Sequence, residues 1–295
     1  MTPEQAFLRA CWLDVAVRKP GNVSLSVPGH GMQAQQFLDS AEAAAPLLCR
    51  AGERVGPRIE AAVAATRAAV GRNTNLGILL LCAPLALAAE RCAGDHRPAV
   101  LRTSLQATLA ELDVADAAAA YRAIVDAGPG GLGSSAAQDV HTAPTVTLRA
   151  AMVLAADRDR IARQYRDGYA EIFDQALQLL HCNLPGASTT RQPPDAATTD
   201  AVQALYLHWL ATGPDSHIVR KHGIAVAQAV MHTAQQWRAR GAAAAPLDAD
   251  PAFAAWGAAL VRDGLNPGTS ADLTVAALML AGVLKRPSPV EWHGS

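Results

Sequence analysis

The chain has 295 residues, 51% of them hydrophobic and only 4% aromatic, with a formal net charge of −1. Near-neutral charge with no basic stripe excludes non-specific nucleic-acid binding. Abundant Ala and Leu, with little period-two alternation, exclude a sheet-rich fold and predict one all-α globular domain over residues 1–295.

Helical periodicity runs over Pro3–Val17, Ala34–Arg50, Glu53–Val70, Leu76–Cys92, Pro98–Glu111 and Val114–Ala127. It resumes over Val146–Ala156, Arg158–His181, Thr199–Ala211, Ile218–Arg240, Pro251–Arg262 and Ala271–Leu284, about twelve helices without a repeat or a dividing linker. Early Glu4 and Asp14 do not fit a signal peptide. The long apolar run, Gly77 to Ala89, is short for a membrane span and contains Pro84, so a buried core helix is expected and no membrane partner. The five cysteines (Cys11, Cys49, Cys82, Cys92, Cys182) form no CxxC pair and read as reduced thiols of a cytoplasmic protein. Two connections, Gly128–Pro144 and Asn183–Asp200, are long for a compact helical domain and are either functional or flexible.

Polar residues collect at helix starts. Four segments share this pattern: Lys19-Pro20-Gly21-Asn22-Val23-Ser24, Asn73-Thr74-Asn75-Leu76-Gly77, Asp215-Ser216-His217, and Asn266-Pro267-Gly268-Thr269-Ser270-Ala271-Asp272-Leu273. One such segment is ordinary capping, whereas four in so apolar a chain predict a shared pocket for a phosphorylated ligand. The last segment has two readings. With Thr269 as N-cap, Asp272 falls at N3 and completes a capping-box-like arrangement. Alternatively, first-turn N–H groups bind an anion while the Asp272 carboxylate holds a metal or a hydroxyl. Asp215, with Arg220 and Lys221 one turn on, brackets a metal–phosphate unit or simply caps a helix with a basic face. His217 and His222 lack metal-ligand spacing.

Other motifs carry less. Gly128, Gly130 and Gly133 form a GxGxxG, but helical sequence rather than a strand precedes it, and no GK[ST] follows. Gly131–Ala137 looks like the phosphate loop of GHMP-type small-molecule kinases, which are strand-rich proteins. Asp159, Arg163 and Asp167 are spaced four apart, as solvated ion pairs are, although Arg158 or Arg163 could face a phosphate. No GxSxG is present, and His181 and Cys182, adjacent on a helix, point apart.

Taken in order, the four polar segments resemble the triphosphoribosyl-dephospho-CoA synthase family. Lys19–Ser24 is similar to its KPGxV segment and Asn73–Gly77 to its NTHKG motif. Asp215–Arg220 is similar to D-[ST]-x-x-x-R, and Pro267–Leu273 to PGGSADL. The resemblance implies an all-α transferase that joins ATP to 3′-dephospho-CoA, releases adenine and uses Mg²⁺ to neutralise the triphosphate. Two departures stand out: Asn75-Leu76 replaces the family's His-Lys, and Gly29-His30-Gly31-Met32 echoes GAHxDM without its Asp. NTNLG with Gly130-Gly131-Leu132-Gly133 and Asp139-Val140 resembles a divergent branch associated with tetrahydromethanopterin and methanofuran coenzymes. A different acceptor, a small-molecule kinase and a non-catalytic ATP-binding protein stay open, as does a homodimer.

On this resemblance, Asp272 and Asp215 are expected to be the catalytic and metal carboxylates. Lys19, Arg220 and Lys221 would hold phosphates. Asn22, Ser24, Asn73, Thr74 and Asn75 would position the ribose or metal, and Gly268, Thr269 and Ser270 would offer N–H donors to a phosphate.

Overall fold

The computed structural model describes residues 1–130, 137–181, 190–241 and 246–284. Gly131, Gly133, Cys182 and the 183–189 part of the second long connection lie outside the described residues. Fourteen α-helices, and no strand among the described residues, confirm the all-α expectation. They are α1 (Pro3–Ala16), α2 (Ala34–Leu48), α3 (Val55–Val70), α4 (Leu76–Arg91), α5 (Pro98–Ala110), α6 (Val114–Ala127) and α7 (Leu148–Ala155). Then come α8 (Arg160–Asp167), α9 (Leu177–His181), α10 (Ala196–Thr212), α11 (Ser216–His222), α12 (Ile224–Gly241), α13 (Pro251–Arg262) and α14 (Gly268–Val283).

Two helices expected to be continuous are divided. The 158–181 stretch stops at Gly168, whose φ of +62° only glycine adopts without strain, and a β-carbon there would collide with the Gln106 amide. A π-helical turn, Ile172–Ala176, carries the chain on into α9. The 218–240 stretch divides at Gly223, with φ +87°, into α11 and α12. At the first break Tyr169, with φ +60°, follows Gly168 into the left-handed region, and a periodicity reading is blind to such torsions. Asp159 and Arg163 do not pair: Asp159 caps α8 through the Ile161 and Ala162 amides, and Arg163 bonds the Ala156 carbonyl.

Helix α4 runs through the centre with almost every residue buried, as the apolar run predicts. No helix among the described residues is long and apolar enough to cross a membrane. Proline in a helix interior removes one N–H and strands the carbonyl four residues back. For Pro84 that carbonyl belongs to Leu80, and the buried Tyr165 hydroxyl on α8 donates to it at 2.5 Å. Tyr169 donates likewise to Leu81 O at 3.0 Å, so α8 and the turn after it are fastened to α4.

The main core gathers Phe7 of α1, Leu79 and Leu81 of α4, Trp209 of α10 and Leu273 and Met279 of α14. A second core joins Tyr206 and Leu210 of α10 to Ile218, Trp237, Phe253 and Ala271. The first turns of α14 therefore stand where the two cores meet. Cys11, Cys49, Cys82 and Cys92 are unpaired thiols. Burial pushes Cys11 and Cys82 well above the usual thiol range.

Candidate active site

A cavity of about 1360 Å³ opens at the N-terminal ends of α4, α8, α11 and α14. Nine of the thirteen predicted site residues line it: Asn22, Asn73, Thr74, Asn75, Arg220, Lys221, Gly268, Thr269 and Asp272. Segments more than 240 residues apart in sequence meet here, as when Asn22 Nδ2 donates to Asn266 Oδ1 at 3.2 Å.

The other four, Lys19, Ser24, Asp215 and Ser270, are buried behind the wall. The Lys19 ammonium pairs with Asp14 at 3.1 Å and donates to the Asp14 carbonyl, its side chain fully sealed from solvent. Ser24 accepts the Val27 amide at 3.2 Å and shapes a turn. Asp215 caps α11, its Oδ1 accepting from His217 N and Ile218 N at 2.9 and 3.2 Å. Its Oδ2 accepts from both N and Oγ of Ser270 at 2.8 Å, which clamps α11 to the first turn of α14.

That clamp decides the α14 start. The N-cap is Pro267, not Thr269, so Asp272 lies in the second turn and the capping-box reading of it fails. The Ser270 N–H is taken by Asp215 and the Gly268 N–H by Asn266 O at 2.8 Å. The N-terminus of α14 is thus mostly satisfied within the protein.

Asp272 is half-buried at the cavity floor. Burial pushes its carboxyl well above the usual carboxylate range, and nearby Asp14, Asp215 and Asp159 add to the effect against Arg220. Asp14, also on the floor, is raised by burial, and Lys19 opposes that rise. Asn73 Oδ1 accepts the Leu76 N–H at 3.0 Å and caps α4. Thr74 donates to Ser40 Oγ at 2.7 Å. Asn75 makes no cap bond and its buried Nδ2 has no partner.

The rim is basic. Arg220 donates from Nε to Gly130 O at 3.1 Å, Arg72 donates to Gly31 O at 2.7 Å, and Lys221 is exposed beside them. His217 also lines the cavity, with a buried Nε2 lacking a partner. Burial, then Arg220 and Lys221, push its pKa down to about 3, so its imidazole is neutral. One wall is apolar, formed by Ile124 and Val125 of α6 with Met152 and Leu154 of α7.

Sequence reasoning missed Asp14 and Asp159 as wall residues, and named His217 only within the Asp215–His217 segment, without a role. Asp14 carried a signal: it follows Phe7, Ala10 and Cys11 on the buried stripe of α1, where an acid is out of place.

The sequence matches the family described as CitG, ATP:dephospho-CoA triphosphoribosyl transferase, over residues 1–289. The chain belongs to this family. It is therefore a transferase of a coenzyme-biosynthesis family, whose name gives ATP and dephospho-CoA as substrates. No curated protein matches the sequence. A crystal structure from Archaeoglobus fulgidus, named as a candidate triphosphoribosyl-dephospho-CoA synthase, is similar in fold, with a TM-score of 0.60 at 23% identity. The match covers 84% of this chain and 97% of that one.

Proposed function

We propose that the chain transfers the triphosphoribosyl group of ATP to a hydroxyl of 3′-dephospho-CoA and releases adenine. The observation that carries this reading is the polarity of the large cavity among the described residues, acidic around Asp272 and basic around Arg220 and Lys221. Its volume, about 1360 Å³, exceeds the roughly 300–1,000 Å³ of a pocket for one drug-sized ligand, which supports a site that takes more than one substrate.

In this reaction the acceptor oxygen bonds to C1′ as the C1′–N9 bond breaks, and the electron pair leaves with adenine. The hydroxyl proton passes to Asp272, the carboxyl at the cavity floor, which burial raises above the usual carboxylate range and so makes a stronger base. Adenine takes its proton from water or a second carboxyl, because Asn75 carries no titrating group. Arg220 and Lys221 hold the triphosphate and stabilise its charge.

Of the two carboxylates expected to hold Mg²⁺, Asp215 is committed within the protein, which leaves Asp272 on the cavity wall and no closed protein cage for a resident ion. Asp215 already accepts four hydrogen bonds, and Asp14 is paired with Lys19. Among the described residues no three His, Cys, Asp or Glu side chains gather as a metal site. We read magnesium as arriving with the nucleotide, on its phosphates.

The test is incubation with MgATP and dephospho-CoA, followed by chromatography. Free adenine with a coupled nucleotide product is expected. ADP would show a kinase, adenine formed only with another acceptor would move the substrate, and tight ATP binding without turnover would show a binding protein.

A further inference from the structure

We infer that the apolar wall of the cavity, Val125 on α6 and Leu154 on α7, seats the pantetheine arm of the acceptor, with Arg158 holding the pyrophosphate that joins the arm to the ribose. The inference rests on the acceptor reading above and assigns that molecule a place in the cavity.

Val125 is 42% exposed and Leu154 53%, and of the large apolar side chains exposed among the described residues these are the two that line the cavity. Ile124 and Met152 line it beside them and pack against the main core, so the wall is anchored from behind. The two helices lie together: α7 packs on α6, and its Leu148 N–H donates to the carbonyl of Asp113, the α6 N-cap, at 3.1 Å. Apolar surface left open inside a polar pocket gains when a ligand covers it.

The order of groups along the wall selects the ligand. A β-carbon on Gly77 would lie 2.6 Å from Asp272 Cγ and 2.8 Å from Ile161 Cδ1, so the start of α8 adjoins the Asp272 carboxyl. Asp159 caps α8 through the Ile161 N–H, and Arg158 precedes it, its own N–H donating back to Ala155 O at the end of α7 at 3.1 Å. Leu154 stands in that last turn of α7, and Asp159, Arg158 and Leu154 all line the cavity. A carboxyl, a cation and an apolar wall thus follow one another. Dephospho-CoA has the matching covalent order: a ribose hydroxyl, an anionic pyrophosphate, then a neutral arm bearing two methyl groups. A triphosphate has no apolar atoms to set on this wall, and its cations, Arg220 and Lys221, stand on α11.

Calorimetric titration of the full chain with dephospho-CoA, 4′-phosphopantetheine and ATP tests the placement. V125N/L154N should weaken dephospho-CoA and 4′-phosphopantetheine about tenfold and ATP by less than about twofold. R158Q should weaken the same two ligands and spare ATP. L154M, which keeps an apolar side chain, should bind them as wild type does, and thermal melts check that each variant folds. In wild type, where no variant is needed, 4′-phosphopantetheine should compete with dephospho-CoA and leave ATP bound. The inference is overturned if V125N/L154N leaves dephospho-CoA affinity unchanged, if it weakens ATP equally, or if 4′-phosphopantetheine displaces ATP instead. Dephospho-CoA bound through this wall without adenine release would sink the proposed transfer and leave the subsite standing. Adenine release with an unaltered KM for dephospho-CoA in V125N/L154N would sink the subsite and leave the transfer standing.

Discussion

Gly77 and Asp272 touch across the floor of the cavity: the first turn of α4 comes so close to the carboxyl that a β-carbon at 77 would overlap Oδ2. Gly77→Ala should therefore move the reacting group. A displacement of about 1 Å costs on the order of 100-fold in rate, even though alanine favours the helix by roughly 1 kcal/mol. Adenine-release kinetics beside a thermal melt should show a large loss of kcat with little loss of stability.

Asp272 carries a second expectation, in pH. Its folded pKa is raised by burial and by Asp14, Asp215 and Asp159. Its favourable contribution to folding is present below the ordinary carboxylate range and lost as pH rises through the raised value. Asp272→Asn should then raise the melting temperature at neutral pH, with the gain shrinking toward acid, while abolishing turnover. A variant that melts lower than wild type at every pH would contradict this.

Lys19 separates a structural role from a substrate role. Removing one partner of a buried ion pair costs about 3–5 kcal/mol, because the other charge is left unpaired. Lys19→Met should lose stability on that scale by denaturant titration, with the KM for ATP in the surviving folded fraction close to wild type. A large KM rise at unchanged stability would return Lys19 to the phosphates.

Tyr165 and Pro84 should be coupled. Tyr165→Phe strands the Leu80 carbonyl and should cost about 1–3 kcal/mol. In a Pro84→Ala background the residue-84 N–H can serve that carbonyl, so the same change should cost about 1 kcal/mol less in a double-mutant cycle. Equal costs in both backgrounds would refute the link.

Much of this was legible in the sequence. Ala- and Leu-rich periodicity predicts the helices, and polar clusters at four helix starts predict one pocket. Which member of each cluster faces the cavity was not legible. Lys19 and Asp215 have the composition of site residues, but spacing does not reveal that Asp14 and Ser270 are their partners. The register of α14 was hidden for the same reason, since a carboxylate 55 residues away in sequence takes the Ser270 N–H and displaces Thr269 from the cap.

The Asp215–Ser270 clamp has a consequence for how such a protein can change over time. Asp272 rides on a helix that is pinned at its start and buried along its length, whereas Arg72, Lys221 and the α6–α7 wall stand on segments that carry less of the core. Mutation can remodel the mouth and walls, and with them the choice of acceptor, while the chemistry at the floor is inherited intact.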